Sequence, residues 1–264
     1  MKTIIFVDFW SGFNPIENYF TRLLDHFQQP YKTIRYEECS EDKIPDIVFY
    51  SIFHKIHQEN LFKNCKKVFF TGENRCLDKT ADLNLTFDHS TSYNNIRFPL
   101  WLLYLNTAWG GKKWSYPKDI TLTPDDKGRE FCAFVYSNDR AKFRNKFCKK
   151  LSKKYRKVTC GGDCLNNIGQ KVKNKILFQR GFKFCIAFEN NLRPGYTTEK
   201  ILDAFRSNCI PIYYGSDRVH EDFNPETFIN GHDFENYDRL IEYVQKVDTK
   251  ANLYQKFLNK YKNY

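Results

Sequence analysis

Glu199 and Lys200 stand side by side where a polar loop gives way to a helix, and a carboxylate beside an ammonium can hold a charged ligand. The loop follows an apolar run, Phe182 to Phe188, and carries Glu189, Asn190, Pro194 and Gly195. The run reads as a buried strand by its length and its aromatic and branched content. Pro194 and Gly195 punctuate the loop. Thr197 or Thr198 suits the cap of a helix through Ile201, Leu202, Ala204 and Phe205. Cys209 to Tyr214 then returns as a second strand that stops at Gly215. The helix start of this β-α-β unit presents backbone N–H groups and the Lys200 ammonium, a combination suited to a phosphate or diphosphate. An ordinary cap with Glu199 and Lys200 solvated has the same local pattern.

Two more charged side chains follow strand candidates. Glu73 lies in Thr71-Gly72-Glu73-Asn74, at the carboxyl end of the strand Lys67 to Phe70, with Gly72 allowing a sharp turn. On spacing alone it is either a reactive carboxylate or a loop carboxylate facing solvent. Arg144 opens a basic helix just after the strand Phe131 to Tyr136 and the loop residues Ser137 and Asn138. A guanidinium there can grip phosphate oxygens in bidentate fashion, or be one more basic residue beside Arg140, Lys142 and Lys146.

The elements that must position these residues alternate along the chain. Thr3 to Asp8 predicts a strand, and Asn14-Pro15 a helix start running through Tyr19, Leu23, Leu24 and Phe27. Further strands are expected at Thr33 to Tyr36, Asp46 to Tyr50, Lys67 to Phe70 and Leu83 to Phe87. From about Trp109 to Gly128 the glycines, Pro117, Pro124 and Asp125-Asp126 mark loops or a linker. Alternation then resumes with Phe131 to Tyr136, a helix over Arg144 to Lys154, and Lys157 to Cys160. A last short strand is expected at Glu226 to Ile229 and a helical tail from Tyr237. Such alternation implies mostly parallel, doubly wound α/β sheets.

At 264 residues the chain can bury one large core or two moderate ones. No apolar run reaches the ~18 residues of a spanning helix, and no signal peptide is recognisable, so a soluble, cytoplasmic protein is expected. A Golgi-lumen location would need an anchoring segment beyond this sequence. Nine cysteines, an odd number, with Cys185 and Cys209 inside core strands, suit reduced thiols used as small apolar residues. Cys160-Gly161-Gly162-Asp163-Cys164 resembles half of a metal knuckle, but no second Cys or His pair at zinc spacing accompanies it. The net charge of +11 admits a nucleic-acid partner, yet the charge is spread along the chain without a recognition motif. A diphosphate substrate or weak peripheral contact with an anionic membrane accounts for it equally well.

Phe188-Glu189-Asn190 followed by Tyr196-Thr197-Thr198-Glu199-Lys200, and then Ile210-Pro211-Ile212-Tyr213-Tyr214-Gly215, resembles the donor-binding signature of the α-1,3/4-fucosyltransferases, glycosyltransferase family 10. Phe134-Val135-Tyr136-Ser137-Asn138 with Arg144-Asn145, Thr71-Gly72-Glu73-Asn74, Phe223-Asn224-Pro225 and Gly231-His232-Asp233-Phe234 also resemble family elements. The resemblance covers roughly residues 46 to 235 and is strongest from Phe131 to Asp233; the first 45 residues carry little of it.

The resemblance implies a GT-B-like fold, two doubly wound Rossmann-like α/β domains facing a central cleft. Residues 1–120 would form the acceptor-side domain, 121–245 the GDP-fucose-binding domain and 246–264 a helical tail. The implied activity is inverting transfer of L-fucose from GDP-β-L-fucose to O3 of N-acetylglucosamine or glucose in a glycan. Its implied catalytic residues are Glu73, as the base, and Glu199. Ser137, Asn138, Arg144, Asn190, Tyr196, Glu199 and Lys200 would bind the donor, with Arg144 and Lys200 facing the diphosphate, while Glu189 would tie the loop down. No Asp-x-Asp is present, so no cofactor and no essential divalent metal are expected, and no nucleic-acid partner. Unlike some bacterial relatives, the sequence ends soon after Lys260 without heptad repeats or a basic amphipathic tail. Two other readings stay open: a transferase for another nucleotide sugar or hydroxyl, and a nucleotide-sugar- or glycan-binding protein without turnover.

Overall fold

A computed structural model describes residues 1–91, 94–104 and 128–261. Among these, Met1–Leu103 forms one compact unit, and Tyr104 with 128–261 belongs to a second. The expected linker and the boundary at 120 lie outside the described residues, apart from the terminal Gly128.

The first unit is built on six strands, β1 (Lys2–Val7), β2 (Tyr31–Thr33), β3 (Ile47–Tyr50), β4 (Lys66–Phe70), β5 (Leu83–Thr86) and β6 (Asn95–Arg97). All pair in parallel, in the order β2-β1-β3-β4-β5-β6. Side chains alternate across the pleat, so Ile5 and Val7 pack with Val48, Tyr50 and Phe69 on one face. On the other, Ile4 and Phe6 meet Phe70 and Phe20 of helix α1 (Tyr19–His26). Packing on both faces is why β1, β3 and β4 read largely as apolar runs rather than as alternating ones.

The helix expected from Asn14 starts later. The Asn14 side chain accepts from the N–H groups of Ile16 and Glu17, at 2.9 and 3.1 Å, and makes a turn. Asn18 is the actual cap, accepting from Phe20 and Thr21 while Thr21 Oγ1 accepts from the Asn18 N–H. Likewise the strand expected at Thr33 to Tyr36 ends at Thr33, and Tyr36–Glu38 forms a 3₁₀ turn.

In the second unit the order of elements is β7 (Glu130–Phe134), α2 (Lys142–Lys154), β8 (Val158–Cys160), α3 (Lys175–Gln179), β9 (Phe182–Phe188), α4 (Glu199–Arg206), β10 (Ile210–Tyr214), β11 (Ile229–Asn230), α5 (Tyr237–Thr249) and α6 (Ala251–Tyr261). Its parallel sheet has the order β11-β10-β9-β7-β8. Large side chains, Phe134, Phe184, Ile186 and Phe188, pack against Phe147 and Leu151 of α2 and Leu240 and Val244 of α5. The opposite face carries small ones, Ala133, Cys185 and Cys209, which let α4 approach closely through Ala204.

The sequence-based boundary before residue 246 is corrected by the structure: α5 runs through that point to Thr249, and Tyr254 and Leu258 of α6 are buried in the same core as β9. The strand expected at Glu226 to Ile229 is mostly a 3₁₀ turn, Pro225–Thr227, because Asn224 caps it and Pro225 starts it. Only Ile229–Asn230 pairs with β10.

Candidate functional site

In the second sheet β7 and β9 are neighbours, but the chain leaves β7 towards β8 on one side and returns to β9 on the other. Loops therefore diverge at their carboxyl ends, which is where open α/β sheets bind ligands. Arg144, in the first turn of α2, spans this crossing point. Its Nη2 donates to the Asn138 carbonyl beyond β7 at 2.6 Å, and its Nη1 to Asn190 Oδ1 beyond β9 at 2.8 Å. The guanidinium lies over the Tyr136 ring, 3.7 Å from its centre. Tyr136 Oη donates in turn to the carbonyls of Ile186 and Phe188, at 2.7 and 3.2 Å. Burial pushes the Tyr136 phenol well up, so it stays a proton donor.

The Arg144 side chain is fully buried, its Nε has no hydrogen-bond partner, and no carboxylate among the described residues pairs with it. A buried charge without a counter-charge is costly unless a ligand supplies one.

Glu189, directly after β9, organises the start of α4. Thr198 occupies the cap position, but its side chain does not cap the helix. Glu189 does so instead: Oε1 accepts from the Thr198 N–H at 2.7 Å, and Oε2 accepts from Thr198 Oγ1 at 2.7 Å and from Lys200 Nζ at 3.1 Å. Lys200 Nζ also donates to Thr198 Oγ1 at 2.7 Å and to Glu199 Oε1 at 3.4 Å. Burial pushes the Glu189 carboxyl up, against the pull of Lys200. Burial works to lower Lys200, but the two facing carboxylates win and hold its ammonium above the ordinary range. At Glu199 burial acts upward, and Lys200 and Lys175 overcome it, so this carboxyl is held low.

Two glycines make these approaches possible. A Cβ on Gly215 would sit 2.4 Å from Glu189 Cγ, and one on Gly162 would sit 2.1 Å from the Tyr136 carbonyl oxygen. The loop between Asn190 and Thr198 is tied by Ser216 Oγ, which accepts from the Gly195 N–H at 2.8 Å, while the Ser216 N–H donates to Tyr213 Oη at 2.9 Å.

The structure thus brings Asn138, Arg144 and Asn190 into direct contact and links Glu199 and Lys200 to the same strand end through Glu189. Ser137 and Asn138 are exposed, and Tyr196 is buried. Two expectations change in detail. Arg144 has no exposed surface, so a phosphate reaches it only if Asn138 or Asn190 gives way. Lys200 is 10% exposed and already donates to three acceptors, so a phosphate costs it one of them.

Glu73 belongs to the first unit, on an exposed loop just past β4, with its N–H donating to Thr71 Oγ1 at 3.1 Å. That unit has its own crossing point, between β1 and β3. Asp8, directly after β1, is buried there at φ 60°. It accepts from the N–H groups of Ile56 and His57, at 2.9 and 3.0 Å, and pairs with His57 Nδ1 at 2.5 Å. His57 stacks on Tyr50, whose Oη donates to Asp78 at 2.8 Å.

Tyr136, Asp8 and His57 were not singled out from sequence, although Asp8 and Tyr136 stand just past strands, where ligands bind. All nine cysteines are free thiols; Cys160 Sγ lies 3.7 Å from Cys148 Sγ and Cys164 Sγ meets Asn145 Oδ1, so the knuckle residues turn to other partners. Among the described residues no three His, Cys, Asp or Glu side chains gather as a metal site, and no helix is long and apolar enough to cross a membrane.

Comparison with known proteins decides the family. Residues 124–264 match the C-terminal domain of glycosyltransferase family 10 (fucosyltransferase), and residues 4–104 match the N-terminal domain of α-(1,3)-fucosyltransferase FucT. The chain belongs to glycosyltransferase family 10. It is 32% identical to α-(1,3)-fucosyltransferase FucT of Helicobacter pylori over 279 residues, 93% of this chain and 57% of that protein. It is 31% identical to human 4-galactosyl-N-acetylglucosaminide 3-α-L-fucosyltransferase 9 over 207 residues, 76% of this chain and 53% of that protein. The chain spans little more than half the length of these curated relatives. A crystal structure of an α1,3-fucosyltransferase with GDP-fucose superposes with a TM-score of 0.78 at 32% identity, over 97% of this chain and 81% of that one. The family-10 chain therefore has two parallel-sheet α/β units of the GT-B-like kind.

Proposed function

We propose that this family-10 chain transfers L-fucose from GDP-β-L-fucose to O3 of N-acetylglucosamine or glucose in a glycan. Configuration inverts to an α-1,3 linkage, and no divalent metal is essential. The observation that carries the donor assignment is Arg144, a buried guanidinium with no carboxylate partner among the described residues, set at the strand crossing of the second unit. The negative charge it lacks is what a diphosphate brings. Support comes from the family match and from a structural relative solved with GDP-fucose.

In this reading Arg144 holds Asn138 and Asn190 on the two strand ends and keeps positive potential beneath them. The Lys200 ammonium, fixed by Glu189, holds Glu199 ionised beside the sugar, where positive charge develops in an oxocarbenium-like transition state. Ser137 and Tyr196 complete the donor pocket. Glu73 takes the proton from the acceptor hydroxyl as it attacks. With Arg144 and Lys200 offsetting the departing diphosphate, the metal clamp of Asp-x-Asp enzymes is not needed.

The test is direct. GDP and GDP-fucose should raise the melting temperature more than UDP and UDP-sugars do, since a ligand of the folded state stabilises by mass action. Incubation of GDP-fucose with an array of acceptors should yield an α-1,3 product by NMR, and yield should persist in EDTA. Equal shifts from UDP, a β-linked product, or loss in EDTA reversed by manganese would each refute the corresponding part.

A further inference from the structure

We propose that His57, seated by Asp8, binds a hydroxyl group of the acceptor glycan in the first unit; the inference rests on the transferase reading above. Asp8, His57 and Glu73 follow three neighbouring strands, β1, β3 and β4, of one parallel sheet. The crossing point of that sheet lies between β1 and β3, and an open α/β sheet takes its ligand at such a point. His57 belongs to a 3₁₀ turn, Ile56–Gln58, that Asp8 pins in place. The Asp8 carboxylate accepts from the N–H groups of Ile56 and His57, and its carbonyl accepts from the Phe53 N–H at 3.0 Å.

The imidazole is fixed on two sides. One face stacks on Tyr50, with ring centres 4.0 Å and planes 21° apart, and Nδ1 meets Asp8 Oδ2 at 2.5 Å. In the neutral ring the facing carboxylate holds the proton on Nδ1, which leaves a lone pair on Nε2. The side chain is 9% exposed, and among the described residues no hydrogen bond reaches that second nitrogen. Tethering the turn to β1 needs only the Nδ1 edge. A fixed acceptor on the other edge suits a ligand that brings O–H donors, as a sugar does. A site built to hydrogen-bond a hydroxyl also rejects analogues that lack it.

The competing explanation is a plain tether, and two substitutions separate the roles of the two nitrogens. His57→Asn keeps an N–H donor for Asp8 but puts nothing in the place of Nε2, whereas His57→Gln extends a carbonyl oxygen towards it. N-acetyllactosamine, intact and with single hydroxyls removed, would be assayed as acceptor with GDP-fucose for the whole chain and both variants, with thermal unfolding alongside. In His57→Asn the acceptor KM should rise about tenfold, the loss of one hydrogen bond to the ligand, with kcat and GDP affinity held and partial recovery in His57→Gln. One deoxy analogue should cost the unaltered protein the same factor and cost His57→Asn nothing further. An unchanged KM in His57→Asn would overturn the proposal. So would a raised KM with every deoxy penalty still in place, the mark of a tether. Nitrogen NMR of the histidines during titration with the same disaccharide decides the matter if a variant fails to fold. If the unaltered protein transfers no fucose but the sugar shifts the His57 Nε2 signal, the transferase reading falls and the histidine stands. If that signal does not move, the histidine falls whether or not fucose is transferred.

Discussion

Replacing Asp8 by Asn tests whether one buried charge orders the strand crossing of the first unit. Asp8 sits at φ 60°, a region that Asn tolerates as well as Asp does, so the change isolates charge from backbone strain. The carboxylate accepts three hydrogen bonds, from the Ile56 and His57 amides and from His57 Nδ1. An amide oxygen can replace the oxygen that serves His57, but its NH₂ then faces the Ile56 N–H. Hydrogen bonds to a charged group contribute about 1.5–3 kcal/mol against about 0.5–1.5 for neutral ones. Loss of one such bond and weakening of the others should destabilise the first unit by about 2–3 kcal/mol, less than the roughly 3–5 kcal/mol of a buried pair broken outright.

The pH dependence has a definite sign. Burial pushes the Asp8 carboxyl up, but its bonds to His57 and the Ile56 amide outweigh that and hold it below the ordinary 3.8. Its contribution is therefore fully present above pH 3.8 and is lost as pH falls through the lower folded-state value. Urea unfolding of both proteins from pH 7 down to pH 3 should show a deficit that is constant near neutrality and shrinks on acidification. Hydrogen exchange should show faster opening at Ile56 and His57 in the variant. Equal stability at pH 7, or a deficit that grows in acid, would refute the reasoning.

Three further outcomes follow from the site. Gly162→Ala puts a Cβ 2.1 Å from the Tyr136 carbonyl, a backbone atom that cannot swing aside. Overpacking there should cost about 1–3 kcal/mol or more and weaken GDP binding together, and a normal melting temperature would show that the strand end yields freely. Arg144→Lys keeps the charge but cannot span Asn138 and Asn190 at once. Turnover should fall by an amount equivalent to about 2–4 kcal/mol of transition-state stabilisation, and wild-type kinetics would reduce the residue to a generic cation. Glu73→Gln should lower turnover by about 10²–10⁴-fold with GDP affinity unchanged; full activity would make it an ordinary loop carboxylate, and lost GDP binding would place it in the nucleotide pocket.

The amino-acid order by itself determined the repeating βα pattern and most strand positions. Runs such as Phe184 to Phe188 and Val68 to Phe70 are apolar throughout because both faces of a parallel sheet are buried, and that property is local. The order of types around Glu199 and Lys200 also marked a strand-loop-helix junction without reference to the rest of the chain. Local competition was harder to read: Asn14 and Asn18 can both cap a helix, and only Asn18 has a threonine three residues on that returns the hydrogen bond. Tertiary structure alone decided which polar groups meet. Arg144 and Asn190 are 46 positions apart, yet they touch because β7 and β9 lie side by side in the sheet. Lys175 reaches the Tyr136 ring for the same reason, whereas Glu189 meets Thr198 only nine positions on, where the loop after β9 folds back on the start of α4. Periodicity reports which face of an element is buried, whereas the partner on that face depends on long-range strand order, which no local pattern encodes.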